Sequence, residues 1–172
     1  VAGALATNVL VNTNLATLEG GGAGLVNLNG GDLVVESKNT SESLATAGAS
    51  VKPASATEPA AVGVGASVGI NVAVNTTVAE IGDGAVFSGA KDVGLTAKGT
   101  HTLTTAATGG AAGADISVTP VAAITVAANT TTARLGTGSL ATLSGAFTGS
   151  AEQMSTTTST ATGQTQGNNV AV

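Results

Sequence analysis

Residues 75–109 read NTTVAEIGDGAVFSGAKDVGLTAKGTHTLTTAATG and residues 129–163 read NTTTARLGTGSLATLSGAFTGSAEQMSTTTSTATG; the two align without a gap at an offset of 129 − 75 = 54. Asn75, Thr76, Thr77, Ala79, Gly82 and Gly84 fall on Asn129, Thr130, Thr131, Ala133, Gly136 and Gly138. A further copy opens the chain: NVLVNTNLATLEGG at 8–21 matches NVAVNTTVAEIGDG at 71–84, an offset of 75 − 12 = 63. NVAV at 169–172 echoes NVAV at 71–74 and suggests the start of another. Self-similarity at a period near fifty residues marks stacked supersecondary units. The chain therefore divides into repeat 1 (1–48), a joint at 49–61 carrying Pro53 and Pro59, repeat 2 (62–113), repeat 3 (114–167) and the beginning of a fourth (168–172).

Within each copy the side chains alternate. Val68, Ile70, Val72, Val74 and Val78 share one parity, with Ser67, Gly69, Asn71 and Asn75 opposite. A period of two marks a strand with one buried face, which makes Val72, Val74 and Val126 expected core columns. Ile81 and Leu135, also expected in the core, sit on the other parity. That switch predicts a bulge or corner near the Asn-Thr pair, with Asn12, Asn75 and Asn129 stacked there as a ladder. Turns follow at Gly82-Asp83-Gly84 and Gly136-Thr137-Gly138, where Gly82, Gly84, Gly136 and Gly138 are the turn glycines. A short strand (33–37, 93–97, 147–151) and a Thr/Ser/Ala strand (40–47, 100–107, 154–161) complete each unit. The fold expected is all-β, a parallel β-solenoid of about three repeats, each long enough for two or more coils; a β-sandwich-like fibre subunit is the alternative.

Composition agrees. The chain has 172 residues, 25 glycines and two phenylalanines as its only aromatics. Large side chains supply most of a thick globular core, so thin layers of small and β-branched residues joined by backbone ladders are the easier construction. Net charge is −5 and the five basic residues are scattered, which leaves no patch for nucleic acid. There is no cysteine. No charged segment precedes an apolar run at the start, so no signal peptide is visible, and the chain reads as a mature product or a piece of something longer. The most apolar stretch, 60–74, is interrupted by Gly, Ser and Asn and too short to insert in a membrane as a helix.

The stretch 63–81, the turn Gly82-Asp83-Gly84-Ala85 and the segment 92–97 resemble the repeats of giant bacterial surface adhesins, including filamentous-haemagglutinin-like and leukotoxin-family exoproteins and autotransporter passengers. The third copy departs at Thr119-Pro120 and at Thr137, where the turn aspartate is replaced; the first departs at Glu19-Gly20-Gly21. The resemblance implies a secreted, elongated, β-solenoid-like stalk at the bacterial cell surface, adhesive in role and without catalytic residues.

Site chemistry is sparse. His101, the single histidine, aligns with Ser41 and Ser155 and is expected as an exposed strand residue. No nucleophile elbow, P-loop, dinucleotide fingerprint or zinc spacing occurs. Asp32, Asp83, Asp92 and Asp115 sit beside glycine turns and raise the question of calcium, but the nonapeptide repeats of calcium-binding coils are missing, and a turn aspartate commonly bonds its own backbone. Neither metal nor cofactor is assigned. Asn39, Asn75 and Asn129 lie in N-x-[ST] sequons and are candidate glycosylation sites. Thr-rich runs at 102–105, 130–132 and 156–158 suggest an outward Thr array of the kind that binds ice. The function expected is that of a non-enzymatic structural and adhesive repeat protein of an extracellular filament or surface adhesin. Its partners would be copies of itself, further repeats, or a host or abiotic surface. The alternatives are a filament subunit that assembles end to end or by strand donation, and a solenoid that binds ice, glycan or calcium.

Overall fold

A computed structural model describes residues 1–20, 26–50, 61–167 and 169–172. The elements are β1 (Ala2–Leu18), β2 (Val26–Asn27), β3 (Leu33–Ser50), β4 (Val62–Ile81), β5 (Val86–Ala90), β6 (Val93–Ala112), β7 (Ile116–Val118), β8 (Val121–Leu135), β9 (Leu140–Leu143), β10 (Phe147–Gln166) and β11 (Val170–Ala171). Every pairing is parallel. The fold is a flattened β-solenoid. One long sheet is built on β1–β4–β8, a second on β3–β6–β10, and a narrow third on β2–β5–β9. Residues 51–60 of the proline-containing joint lie outside the described residues.

The internal offsets of the sequence are the registers of the sheets. Asn12 pairs with Asn75 and Asn75 with Asn129, the same 63 and 54 residues apart that align the text. Each repeat is therefore a single coil rather than two or more. The coil is wide because its strands are long. The segments read from the sequence as two strands, at 33–37 and 40–47 and their equivalents, are one continuous strand in each coil. Asn39 and Gly99 could serve a turn, but both take inward positions in an unbroken register, Asn39 bonding Asn12 across the layer, so the ladder runs through. The short strands β2, β5 and β9, hidden in the Gly-rich text, follow the first turn. At the other end of the chain, Val170 pairs with Ile116, and Ile116 is partnered by Val62. Val170 thus occupies the position of Val62, not of Val72 as the NVAV echo suggests.

The two long sheets face each other through the side chains that sequence parity placed outside. On β4 the buried positions are Gly63, Gly65, Ser67, Gly69, Asn71, Ala73, Asn75, Thr77, Ala79 and Ile81. On β6 they are Val93, Leu95, Ala97, Gly99, His101, Leu103, Thr105, Ala107, Gly109 and Ala111. These faces form a wedge. At the narrow end a Cβ on Gly65 would lie 2.1 Å from the Gly110 carbonyl oxygen, so backbone touches backbone. In the middle Asn, Ser, Thr and His meet across the layer. At the wide end Ile81, Phe87, Val93, Leu95 and Val35 make an apolar plug, closed by Leu18, Leu28, Leu33 and Leu143.

This overturns the expected core columns. Val72, Val74 and Val126 do stack in register, but on the outer face, with Val74 39% and Val126 50% exposed. Backbone contact at Gly63 and Gly65 pinches one end of the layer, and the hydrogen-bonded Asn, Ser and His side chains fill its middle beside Leu103, so the small and amide face of β4 turns inward. Ile81 is fully buried, whereas Leu135, its partner on the edge coil, is half exposed. The parity switch is no bulge either: β4 alternates without interruption from 62 to 81. What changes along it is the width of the wedge.

Gly84 and Gly138 have φ of 68° and 70°, a left-handed turn geometry that favours glycine. Gly82 and Gly136 serve differently: a Cβ on Gly136 would lie 2.4 Å from the Gly82 carbonyl carbon, so successive turns stack without side chains between them.

Candidate functional site

The outer surface of the β1–β4–β8 sheet is apolar. Its in-register rows are Leu5/Val68/Ala122, Thr7/Ile70/Ile124, Val9/Val72/Val126, Val11/Val74/Ala128, Thr13/Thr76/Thr130 and Leu15/Val78/Thr132. Val62, Ile116 and Val170 extend it at one end. Leu5 is 71% and Val11 70% exposed. Beyond Val78 comes charge: the Arg134 guanidinium binds Glu80 and reaches Asp83 at 3.2 Å.

The outer surface of the β3–β6–β10 sheet is hydroxylated. Thr102 pairs with Thr156, Thr104 with Thr158 and Thr108 with Thr162, and Thr100 and Thr160 lie in the same two strands. Strand neighbours on one face are about 6.6 Å apart and coils about 4.8 Å, so these hydroxyls and methyls form a rectangular grid. The third strand supplies Thr40 and Thr46 but carries Glu42 and Leu44 where the others have threonine. The Thr-rich runs of the sequence divide between faces: Thr105 is buried and Thr131 donates inward to Gln153, while Thr130 belongs to the apolar sheet.

Between the sheets runs a hydrogen-bonded relay. Asn75 donates to Asn129 Oδ1 at 2.8 Å, and Asn129 donates to Ser155 Oγ at 3.0 Å. The free Asn75 Oδ1 accepts the Ser41 hydroxyl at 3.1 Å. Ser41 has one hydrogen to give, so its 2.8 Å contact with His101 is donated by the imidazole Nδ1–H. Nε2 is then the bare acceptor, and it has no partner among the described residues. His101 is 1% exposed, not the exposed strand residue its Thr-rich surroundings suggest. Burial holds its pKa below the ordinary 6.5. The predicted asparagine ladder is in register, with one difference: Asn12 turns away from Asn75 and donates across the layer to Asn39 at 2.6 Å.

That burial also removes two glycosylation candidates. Asn39 is 1% exposed and Asn75 fully buried, with no room for a sugar between the sheets; Asn129, on the edge coil, is partly covered by its bonds to Asn75 and Ser155.

Each turn aspartate accepts a hydrogen bond from the neighbouring coil rather than from its own turn. Asp83 Oδ1 accepts the backbone N–H of Thr137 at 2.8 Å, Asp92 Oδ1 that of Ala146 at 2.8 Å, and Asp32 Oδ1 that of Asp92 at 3.2 Å. Asp115 accepts from the Asn169 amide at 3.1 Å. Each carboxylate staples its coil to the next. The backbone bond from Thr137 and then the Arg134 charge hold Asp83 below the usual carboxylate range; Asp92 is lowered chiefly by the Ala146 N–H. Among the described residues no three His, Asp or Glu side chains come together as a metal cluster. Sequence reading missed this stapling because an aspartate beside a glycine signals a turn without naming the coil it bonds.

No protein-family model matches the chain, and no curated protein or solved structure matches it.

Proposed function

We propose that the protein is a structural and adhesive repeat unit of an extracellular, cell-surface fibre, acting through flat faces and not by catalysis. The observation that carries this reading is the coil-on-coil register, which repeats outward threonine rows across β6 and β10 at about 4.8 Å intervals. A single Thr or Ser contact is weak. A grid of them on a rigid sheet engages together, and linked copies multiply the effect. Staples, ladders and long parallel sheets supply the stiffness such a stalk needs. The likeness to adhesin repeats favours a secreted bacterial setting. The test is detachment under flow of beads bearing the chain from glycan-coated and hydroxylated surfaces. Wild-type beads should hold and beads bearing Thr102→Glu, Thr104→Glu and Thr158→Glu together should release. Equal release of both sinks the reading.

One observation favours a second reading. The paired rows Thr102–Thr156, Thr104–Thr158 and Thr108–Thr162 present methyls and hydroxyls at the regular spacings that suit an ordered water lattice. On this reading the face binds ice. Thermal hysteresis abolished by Thr104→Tyr would support it, and no hysteresis from the wild-type chain would end it.

A further inference from the structure

The outer face of the β1–β4–β8 sheet reverses the usual arrangement. The sheet keeps Asn, Ser, Thr and Gly on its inner side and shows aliphatic residues to solvent. A contiguous apolar surface larger than a few hundred Å² marks an interface. From the Val62/Ile116/Val170 row to the Leu15/Val78/Thr132 row, none of the described residues on this face is charged. The sheet that could have covered it, β3–β6–β10, already lies against the opposite side. We infer that this face pairs with the same face of a second copy of the chain, giving a four-layered assembly with the threonine faces outermost.

Area supports that occupant. The patch runs 16 residue steps along β4, from Val62 to Val78, or about 50 Å at about 3.3 Å per residue, and spans three strands, about 14 Å. Two such faces bury on the order of 1,400 Å² together, within the range of stable specific interfaces. Shape supports it as well. The surface is the outer face of a three-stranded parallel ladder, and two aliphatic sheet faces interdigitate about 10 Å apart with their strands nearly aligned. A face that meets itself needs no charge complementarity, and an isologous pair closes after two copies. Chemistry disfavours a lipid occupant: neither phenylalanine lies on this face, the one basic side chain at its edge among the described residues, Arg134, is paired with Glu80 and Asp83, and the net charge of −5 is repelled by anionic headgroups. Ile70 and Val72, in the middle of the patch, are the side chains a partner copy covers most completely. This pairing stands or falls independently of what the threonine face binds.

The test is sedimentation equilibrium of the chain over a wide concentration range. Wild type should be a dimer. The triple variant Val9→Thr, Val72→Thr, Val126→Thr keeps side-chain shape and strand preference while adding three hydroxyls to the centre, and should dissociate at least about tenfold more readily. Thr104→Lys, on the opposite sheet, should leave the dimer intact, and circular dichroism should show β-structure in all three. Because the chain has no cysteine, Val72→Cys provides a second readout: oxidation should cross-link two copies, whereas Thr104→Cys should not. A wild-type monomer at every concentration overturns the inference. So does an oligomer unmoved by the triple variant, which would place association at the coil edges. Binding of wild type, but not the triple variant, to neutral or anionic vesicles would reassign the face to lipid and overturn it too.

Discussion

Asp83 Oδ1 accepts the backbone N–H of Thr137 at 2.8 Å, across a gap of 137 − 83 = 54 residues and one coil boundary. The folded carboxyl is held below its ordinary value of 3.8. A depressed acid pKa contributes stability that is present above the ordinary value and is lost as pH falls through the folded one. Asp83→Ala should therefore melt at lower temperature than wild type near neutral pH, and the gap should close as the solution is acidified well below pH 3.8. Thermal melts across this range check it; a gap independent of pH would show that the contribution of Asp83 is not that of an ionised acceptor.

The inverted faces predict an unusual mutational contrast. Phe87, 2% exposed, is the largest side chain of the plug at the wide end of the wedge. Phe87→Ala leaves a cavity there and should cost about 3–5 kcal/mol. Val126, which parity alone would place in the core, is half exposed, and Val126→Ala should cost a monomeric chain about 1 kcal/mol or less. Urea denaturation of both, at a concentration where wild type is monomeric, checks the pair; equal losses would put valine back inside.

The repeat offsets were legible because they are the registers: pairing Asn75 with Asn129 in the text is pairing them in the sheet. The solenoid followed from that alone. Which face lies inside did not, because parity reports that two faces differ and leaves the side of the neighbouring sheet open. The usual inference, that valine goes in, assumes a layer separation set by large side chains. Here Gly63, Gly65 and Gly109 pinch one end of the layer and Asn71 and Asn75 bond across its middle, relationships between distant strands with no local signature. His101 was misplaced for the same reason. The threonine rows were visible as composition, but their assignment to faces waited on that same inner parity.

His101 offers a clean probe as the only histidine. With Nδ1–H committed to Ser41 and Nε2 bonded to no group among the described residues, protonation inside the layer puts a charge on a ring without a hydrogen-bond acceptor in place for it. The folded pKa lies below 6.5, so between the folded value and 6.5 the unfolded chain alone takes up the proton. Stability should be flat above this window and fall as pH drops through it, by at most about 1.4 kcal/mol per pH unit for one proton. His101→Gln should flatten the profile. An NMR titration of the single imidazole reads the folded value directly, and a midpoint at or above 6.5 would contradict the buried, unpartnered Nε2.

The pinched end of the wedge makes the sharpest claim about sheet spacing. A methyl on Gly65 would sit 2.1 Å from the Gly110 oxygen and 2.8 Å from its carbonyl carbon, and one on Gly63 would sit 2.3 Å from the Ala112 oxygen. These neighbours are backbone, held by their own ladders, and cannot swing aside. Gly65→Ala must push the two sheets apart, and overpacking of this kind costs about 1–3 kcal/mol. Gly3 is the internal control, since a Cβ there meets nothing within 4 Å; Gly3→Ala should be neutral or slightly stabilising through the unfolded chain. The two residues lie in adjacent parallel strands of one sheet, Gly3 outward on the edge strand and Gly65 inward on the central one. If the two substitutions have equal effects in denaturant titrations of the monomeric chain, the sheets are not in contact at this end and the inward orientation of the small-residue face is wrong.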